Sequence, residues 1–431
     1  MTENIQHPDS WYAASRNSDI SYPSLSEEIT TDVCIIGAGF SGLSTALFLA
    51  ERGTRVVVLE ACKVGWGASG RNGGQVVSGY GENTVAHVTK ACGREAGMRA
   101  RQLGLACNTT LFDVIKRYQI DCDLTMRYTR LAMTTRQDRY LQDACESWNK
   151  QGYPGNFNYI ERDDLPSYTG SDQYRSGLYS DFDGHLHPLN LALGEAKALT
   201  GLGVQIFEQS PAISISDATP AKKARITTPN GVINADTIVL CGNAYLQGTE
   251  PRIRWGLIPG YSCMIATQPL SADVAARLIP RNTANSDLRT VMDYYRLSPD
   301  NRVLWGGLGH WSGNDTVNPE PLLRKNMVKI FPELSDTKID YRWSGRIGIS
   351  SNLNPQIGRL APSTYYMQAF SGHGVAQTHL SGKMVSDAIL SGSKDFEMFS
   401  KLSHISVPPI KLIQQAARAW GMNSRRFMEW L

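Results

Sequence analysis

The chain has 431 residues, 42% hydrophobic and 19% charged, and its 43 Lys and Arg against 40 Asp and Glu leave a formal net charge of +3. That length allows two or three domains with full cores, and so even a charge balance argues against a nucleic-acid partner. The eight cysteines show no CxxC or zinc-type spacing, so no metal site is expected; a polar N-terminus and the lack of any run of about 18 apolar residues fit a cytoplasmic protein with free thiols.

Residues 1–30 are polar, yet Trp11-Tyr12-Ala13-Ala14-Ser15 has the composition of a segment that packs on the body. The most informative stretch follows. An apolar strand over 33–36 stops at Gly37-Ala38-Gly39-Phe40-Ser41-Gly42, a helix is expected over 43–51, and a second strand over 55–59 ends in Glu60. This is the pattern of a dinucleotide-binding βαβ unit. Gly37 allows the tight turn, Gly39 leaves no Cβ between backbone and pyrophosphate, and Gly42 lets the helix approach the sheet. The helix start turns N–H groups and a partial positive charge toward the phosphates. Glu60, eighteen residues after Gly42, can accept hydrogen bonds from the ribose hydroxyls, and its charge disfavours the 2′-phosphate of NADP. Gly201-Leu202-Gly203, Gly307-Leu308-Gly309 and Gly372-His373-Gly374 all lack the full motif. With no second nucleotide site, electrons are expected to come directly from an organic substrate, which favours FAD over NAD.

Residues 61–80 are glycine-rich and suit a loop passing close to a cofactor. Residues 93–150 read as largely helical. Strands are expected over 203–208, 224–228, 232–240, 261–267, 290–297, 303–306 and 365–371, and a helix over 375–390 opened by Gly372-His373-Gly374. That helix start can set positive potential beside a reduced flavin, whose negative charge gathers at N1 and the C2 carbonyl; a plain strand–turn–helix connection is the competing reading. No internal repeat or low-complexity tract is present.

Together these segments resemble the D-amino-acid-oxidase-like flavoproteins of the glutathione-reductase-2 type. GAGFSGLSTALFLAERGTRVVVLE is similar to the family's first FAD motif, ADTIVLCGNAY to its later strand-plus-glycine signature beside the adenine half, and FSGHGVAQTHLSGKMVSDAI to its C-terminal FAD helix. SWYAAS, GWGASGRNGGQ, DYYRLSPDNRVLWGG and SGRIGISSNLNPQIGRL bring the likeness nearest to the bacterial gamma-glutamylputrescine oxidases. The resemblance implies an α/β (α+β) fold. Its FAD-binding Rossmann-like part would comprise 1–95, 150–250 and 342–400. A second, mainly antiparallel-sheet substrate part would comprise 96–149 and 251–341, with a helical extension over 401–431. It implies noncovalent FAD held by Gly37, Ala38, Gly39, Phe40, Ser41 and Gly42; by Glu60 and Ala61; by the loop Ser69, Gly70, Arg71, Asn72, Gly73, Gly74 and Gln75; by Ala212 and Gly242; and by Gly372, Gly374, Val375 and Ala376.

It also implies oxidation of an amine by hydride transfer from a C–H bond to flavin N5. The imine formed hydrolyses to an aldehyde, and dioxygen becomes hydrogen peroxide. Relatives that tether the flavin use a Cys just after the position of Arg346, or a His in the early loop. Here the chain reads Ile347-Gly348-Ile349 and Gly70-Arg71-Asn72-Gly73. Sarcosine-type relatives hold a substrate carboxylate with a Lys two residues after the Gly-His-Gly; here that residue is Ala376, which favours a plain amine over an α-amino acid.

His373, with the Ser371–Gly374 backbone, is the candidate for stabilising the reduced flavin, or else a turn residue. Arg346 either lies near the flavin or pairs with a surface acid. Tyr261, Tyr294, Tyr295 and Trp305, with Trp255, are candidates for an aromatic substrate wall, although core packing is open for each; Cys263 and Met264 read as packing residues. The basic, amphipathic 408–431 run is read as a helix on the body or a second subunit, with membrane-surface contact and electron transfer to a quinone as the alternative. Rival functions are a D-amino-acid or N-methyl amino-acid oxidase, a quinone-linked dehydrogenase, and a non-catalytic or RNA-modifying flavoprotein.

Overall fold

The computed structural model describes residues 5–246, 249–289, 291–308, 318–406 and 408; the basic run beyond Pro408 lies outside the described residues. At the centre of the first sheet is the strand Glu28–Ile36, with Val232–Leu240 parallel on one side and Val56–Leu59 parallel on the other. Thr364–Gln368 and Gln205–Phe207 extend the parallel set outward, and Gln356–Ala361 closes one edge antiparallel.

A parallel sheet buries both faces, so its strands are apolar at every position rather than at alternate ones. Val33 and Ile35 enter one core with Leu43 and Leu47 of the helix Phe40–Ala50, Leu103 and Leu111 of the helix Arg94–Arg117, and Leu380 and Met384 of the helix Gly374–Leu390. Cys34 and Ile36 enter another with Ile233 of the strand Val232–Leu240 and with Ala224 and Ile226 of the small antiparallel strand Ala224–Thr227.

The second sheet has eight strands, in the order Ile339–Ile349, Ile258–Thr267, Val303–Leu308, Asp293–Leu297, Ala284–Asp287, Tyr128–Ala132, Ser176–Ser180 and Phe157–Ile160. All its pairings are antiparallel except that of Ala284–Asp287 with Tyr128–Ala132. Its separate core contains Leu131, Ile265, Tyr295, Trp305 and Phe331. The fold is therefore the expected one, a doubly covered parallel sheet joined to a mainly antiparallel one.

Two local expectations need correction. The segment 93–150 is not helical throughout, because Tyr128–Ala132 is a strand between the helices Arg94–Arg117 and Thr135–Lys150. Five residues are too few to show a period against long helical neighbours, and pairing on both edges decides the matter. The strands Phe157–Ile160 and Ser176–Ser180, within the stretch assigned to the FAD-binding part, join the second sheet, as does Ile339–Ile349, most of which lies beyond residue 341. The early Trp11–Ala14 turn packs as expected, with Trp11 and Tyr12 buried.

Candidate active site

The first sheet presents its glycine loop at the C-terminal end of the strand Glu28–Ile36. Gly37 holds φ +110°, and a Cβ there would lie 2.9 Å from the Cys241 carbonyl carbon. A Cβ on Gly42 would run into the Gly37 carbonyl. Both positions therefore demand glycine, the first by backbone conformation and the second by close approach. Gly39 caps the helix Phe40–Ala50 with no side-chain hydrogen bond. The Phe40 N–H donates to Ser69 Oγ at 3.0 Å, which ties the second glycine-rich loop to the first.

Glu60 ends the neighbouring strand. Its Oε2 accepts from the Ala38 N–H at 2.8 Å and its Oε1 from the Cys62 N–H at 2.9 Å. Burial pushes its pKa up, against the pull of those two N–H groups. A bare glycine cradle, a helix start without a side-chain cap, and a carboxylate beside the loop are the donor and acceptor set a dinucleotide requires, so the residues fit FAD.

Of the other residues assigned to FAD, Ala61 is exposed beside Glu60. Gly242 precedes the short turn Asn243–Tyr245 and leaves room for Leu246. Ala212 packs against the core that holds Cys34 and Ile36, and its carbonyl accepts from Thr249 Oγ1 at 3.1 Å.

A cavity of about 650 Å³ lies against the second sheet, between it and both the glycine-rich stretch 68–81 and the start of the helix Gly374–Leu390. Arg71, Asn72, Gly73 and Gln75 of the early loop and Gly372, His373, Val375 and Ala376 at the start of the helix Gly374–Leu390 all line it. Asn72 shapes its loop, donating to the Ala68 and Ser69 carbonyls at 3.1 and 2.8 Å while its Oδ1 accepts from the Gly74 N–H at 2.8 Å. The helix Gly374–Leu390 also starts without a side-chain cap, so its first N–H groups are available to a ligand. His373 opens onto the cavity, with Nε2 3.2 Å from the Val77 carbonyl. Desolvation, then the nearby Arg130 charge, lowers its pKa, so it is neutral at neutral pH and donates from Nε2 to Val77.

Tyr261 and Tyr294 line the cavity, and Tyr294 Oη lies 2.6 Å from Ser262 Oγ. Tyr295 and Trp305 do not. They are 1% and 0% exposed and stack on each other behind the sheet, with ring centroids 4.6 Å apart and planes at 1°. The cause is the twofold period of a strand: Tyr294 faces the cavity, so Tyr295 faces the core, and its register partner Trp305 faces the core with it. Arg346 is not itself a lining residue, but it bonds to one. Gly345 and Ile347 line the cavity, while Arg346 donates from Nε to Tyr261 Oη at 3.2 Å and from its backbone N–H to Tyr245 Oη at 3.0 Å. Trp255 is exposed, and Cys263 and Met264 are buried.

The expectations missed one whole side of the cavity. Tyr128 and Arg130 come from the strand inside the segment read as helical, and Tyr140, Trp148 and Tyr153 from the helix Thr135–Lys150 and the turn after it. Ser286 and Asp287 come from the adjoining strand. The only sequence signal was the Tyr-Thr-Arg-Leu-Ala run, too short to outweigh its surroundings.

The family described as FAD dependent oxidoreductase matches residues 32–388. The gamma-glutamylputrescine oxidoreductase of Escherichia coli is 38% identical over 98% of this chain and 97% of its own length. A probable oxidoreductase, OrdL, of Haemophilus influenzae is 39% identical over 98% of both chains. Among solved structures, the glycine oxidase of Bacillus cereus superposes with a TM-score of 0.70 at 20% identity, covering 86% of this chain and 98% of that one.

Proposed function

The chain belongs to the family of FAD-dependent oxidoreductases, with FAD as its cofactor, and we propose that it oxidises the primary amine of a gamma-glutamylputrescine-like substrate to an aldehyde. The observation that carries this reading is the near full-length likeness to the Escherichia coli enzyme. The aromatic-walled cavity beside two cofactor-type loops supports it.

In this reading the loop 37–42 and Glu60 hold the adenosine and pyrophosphate end of noncovalent FAD. The early loop 69–75 and the helix start at Gly374 hold the ring. When bound there, FAD supplies a two-electron acceptor for the hydride on the carbon next to nitrogen, and water then hydrolyses the resulting imine. The acceptor proposed for the cycle is dioxygen, giving hydrogen peroxide.

The protein's own task is to select and orient the amine. Only a neutral nitrogen has the lone pair that drives hydride loss, and the wall of Tyr128, Trp148, Tyr261 and Tyr294 disfavours the ammonium form by desolvation. Neutral His373 has its Nε2 proton committed to the Val77 carbonyl, which holds the turn before the helix Gly374–Leu390. The first-turn N–H groups of that helix then face negative charge developing in the site.

The test is anaerobic mixing of the yellow holoenzyme with gamma-glutamylputrescine, putrescine, sarcosine and D-amino acids. Bleaching of the flavin band by gamma-glutamylputrescine well ahead of the others is expected. Bleaching by the amino acids alone, or by none, contradicts the reading. Peroxide formed in air separates an oxidase from a dehydrogenase.

A further inference from the structure

Arg130 lies on the strand Tyr128–Ala132, opposite Ser286 in the register of the parallel pair, and both line the cavity. Its Nη2 donates to Asp183 Oδ2 at 3.1 Å. Asp183 is fully buried, and its Oδ1 also accepts from the Ser78 N–H at 2.8 Å and from Asn108 Nδ2 at 3.1 Å. The guanidinium carbon lies 4.9 Å from the Trp148 ring centroid and 5.4 Å from that of Tyr128. The group is thus held in one place by an ion pair and two aromatic faces. Its Nη1 is nevertheless buried and donates to no acceptor.

A buried donor left unsatisfied is costly, most of all on a charged group. Asp183 pairs with the Arg130 charge through Nη2 alone, so the Nη1 donor is left for a second acceptor. The other arginines of the wall are committed elsewhere: Arg71 donates to the Trp66 and Ser344 carbonyls, and Arg101 to Gln151 Oε1. At the helix start Ala376 offers no cation. A carboxylate in this cavity therefore has its best cationic partner on the second sheet.

We propose that Arg130 binds a carboxylate carried at the end of the substrate remote from the oxidised carbon, so that the enzyme selects amines joined through an amide to an amino-acid-like tail. The proposal rests on the amine-oxidation reading and adds the residue that chooses among amines. Arg130 positions the substrate and takes no part in proton or hydride movement.

The test is binding without turnover. Holoenzyme is titrated calorimetrically with gamma-glutamylbutylamine, which has the tail carboxylate but no terminal amine, and with the same molecule carrying a carboxamide in place of the carboxylate. Wild type is expected to prefer the acid roughly ten- to hundredfold, the worth of a charge-assisted hydrogen bond. Arg130→Gln is expected to lose most of that preference. Because this change strands Asp183, the paired Arg130→Gln with Asp183→Asn removes both charges and provides a second variant in which no buried carboxylate is left alone. Equal affinity of wild type for acid and amide overturns the proposal, as does a preference that survives in whichever variant retains its flavin. Failure of gamma-glutamylputrescine to bleach the flavin would instead count against the amine reading, since the calorimetric probe lacks the terminal amine that this reading oxidises.

Discussion

Single side chains in this protein are set by which of two environments they meet, and His187 illustrates the consequence. It is 1% exposed, accepts the Asn190 N–H at 3.1 Å through Nδ1 to cap the helix Pro188–Gly201, and has Nε2 3.1 Å from Ser15 Oγ. Burial, then Arg296, depresses its pKa to about 3. The unfolded chain therefore binds a proton that the folded one refuses. Stability is full above about pH 6.5 and falls as pH drops toward 3, by about 1.4 kcal/mol per unit for this residue. His187→Asn keeps a cap acceptor and removes the titration. Its unfolding free energy is expected to fall less steeply between pH 6.5 and 5.5 than that of wild type, by about 1 kcal/mol; parallel slopes in urea titrations would refute this.

His373 leads to a second pH expectation. Its lowered pKa leaves it a far weaker base than an alkylamine, whose pKa lies near 10. It cannot strip the substrate ammonium, so the neutral amine must be taken from solution. The rate of flavin reduction at low substrate is then expected to rise about tenfold per pH unit below the amine pKa. A plateau near pH 7 in stopped-flow traces would point to a base within the protein.

At the scale of elements, the helix Gly374–Leu390 crosses the helix Phe40–Ala50 closely enough to require Gly382. A Cβ there would overlap Ser44 Oγ and lie 2.8 Å from the Thr45 nitrogen. Ser44 Oγ also donates to the Thr378 carbonyl at 3.2 Å, and His379 and Glu195, both fully buried, meet at 2.6 Å to join the helix Pro188–Gly201 to the same packing. Gly382→Val forces the pair apart at about 1–3 kcal/mol. Because the start of the helix Phe40–Ala50 borders the glycine loop, a lower Tm is expected together with a lower flavin-to-protein ratio. A variant that keeps both values would show that the close crossing is dispensable.

For the whole molecule, the cavity is walled by the second sheet and by the start of the helix Gly374–Leu390, which packs in the first sheet's core, so a cofactor bound there couples the two parts. Binding to the folded state alone stabilises it by about 2.7 kcal/mol at a hundredfold excess over Kd. FAD added to flavin-stripped protein is expected to raise a single calorimetric transition; two transitions, only one of them moving, would show that the sheets unfold independently.

What the sequence determined by itself was the glycine-loop βαβ unit. Gly37, Gly42 and Glu60 are dictated by backbone conformation, close approach and charge within one short βαβ unit, and such local demands leave their mark at fixed spacing. The two glycine-rich segments that line the cavity were legible for the same reason. The opposite wall was not. Tyr128, Arg130 and Ser286 meet only because distant strands pair in register, and that pairing is tertiary. The choice between Tyr294 and Tyr295 depends on a strand's facing, where a shift of one residue reverses inside and outside. Chain pattern marks where a cofactor's phosphates can sit; only the packed sheets decide which side chains wait for the substrate.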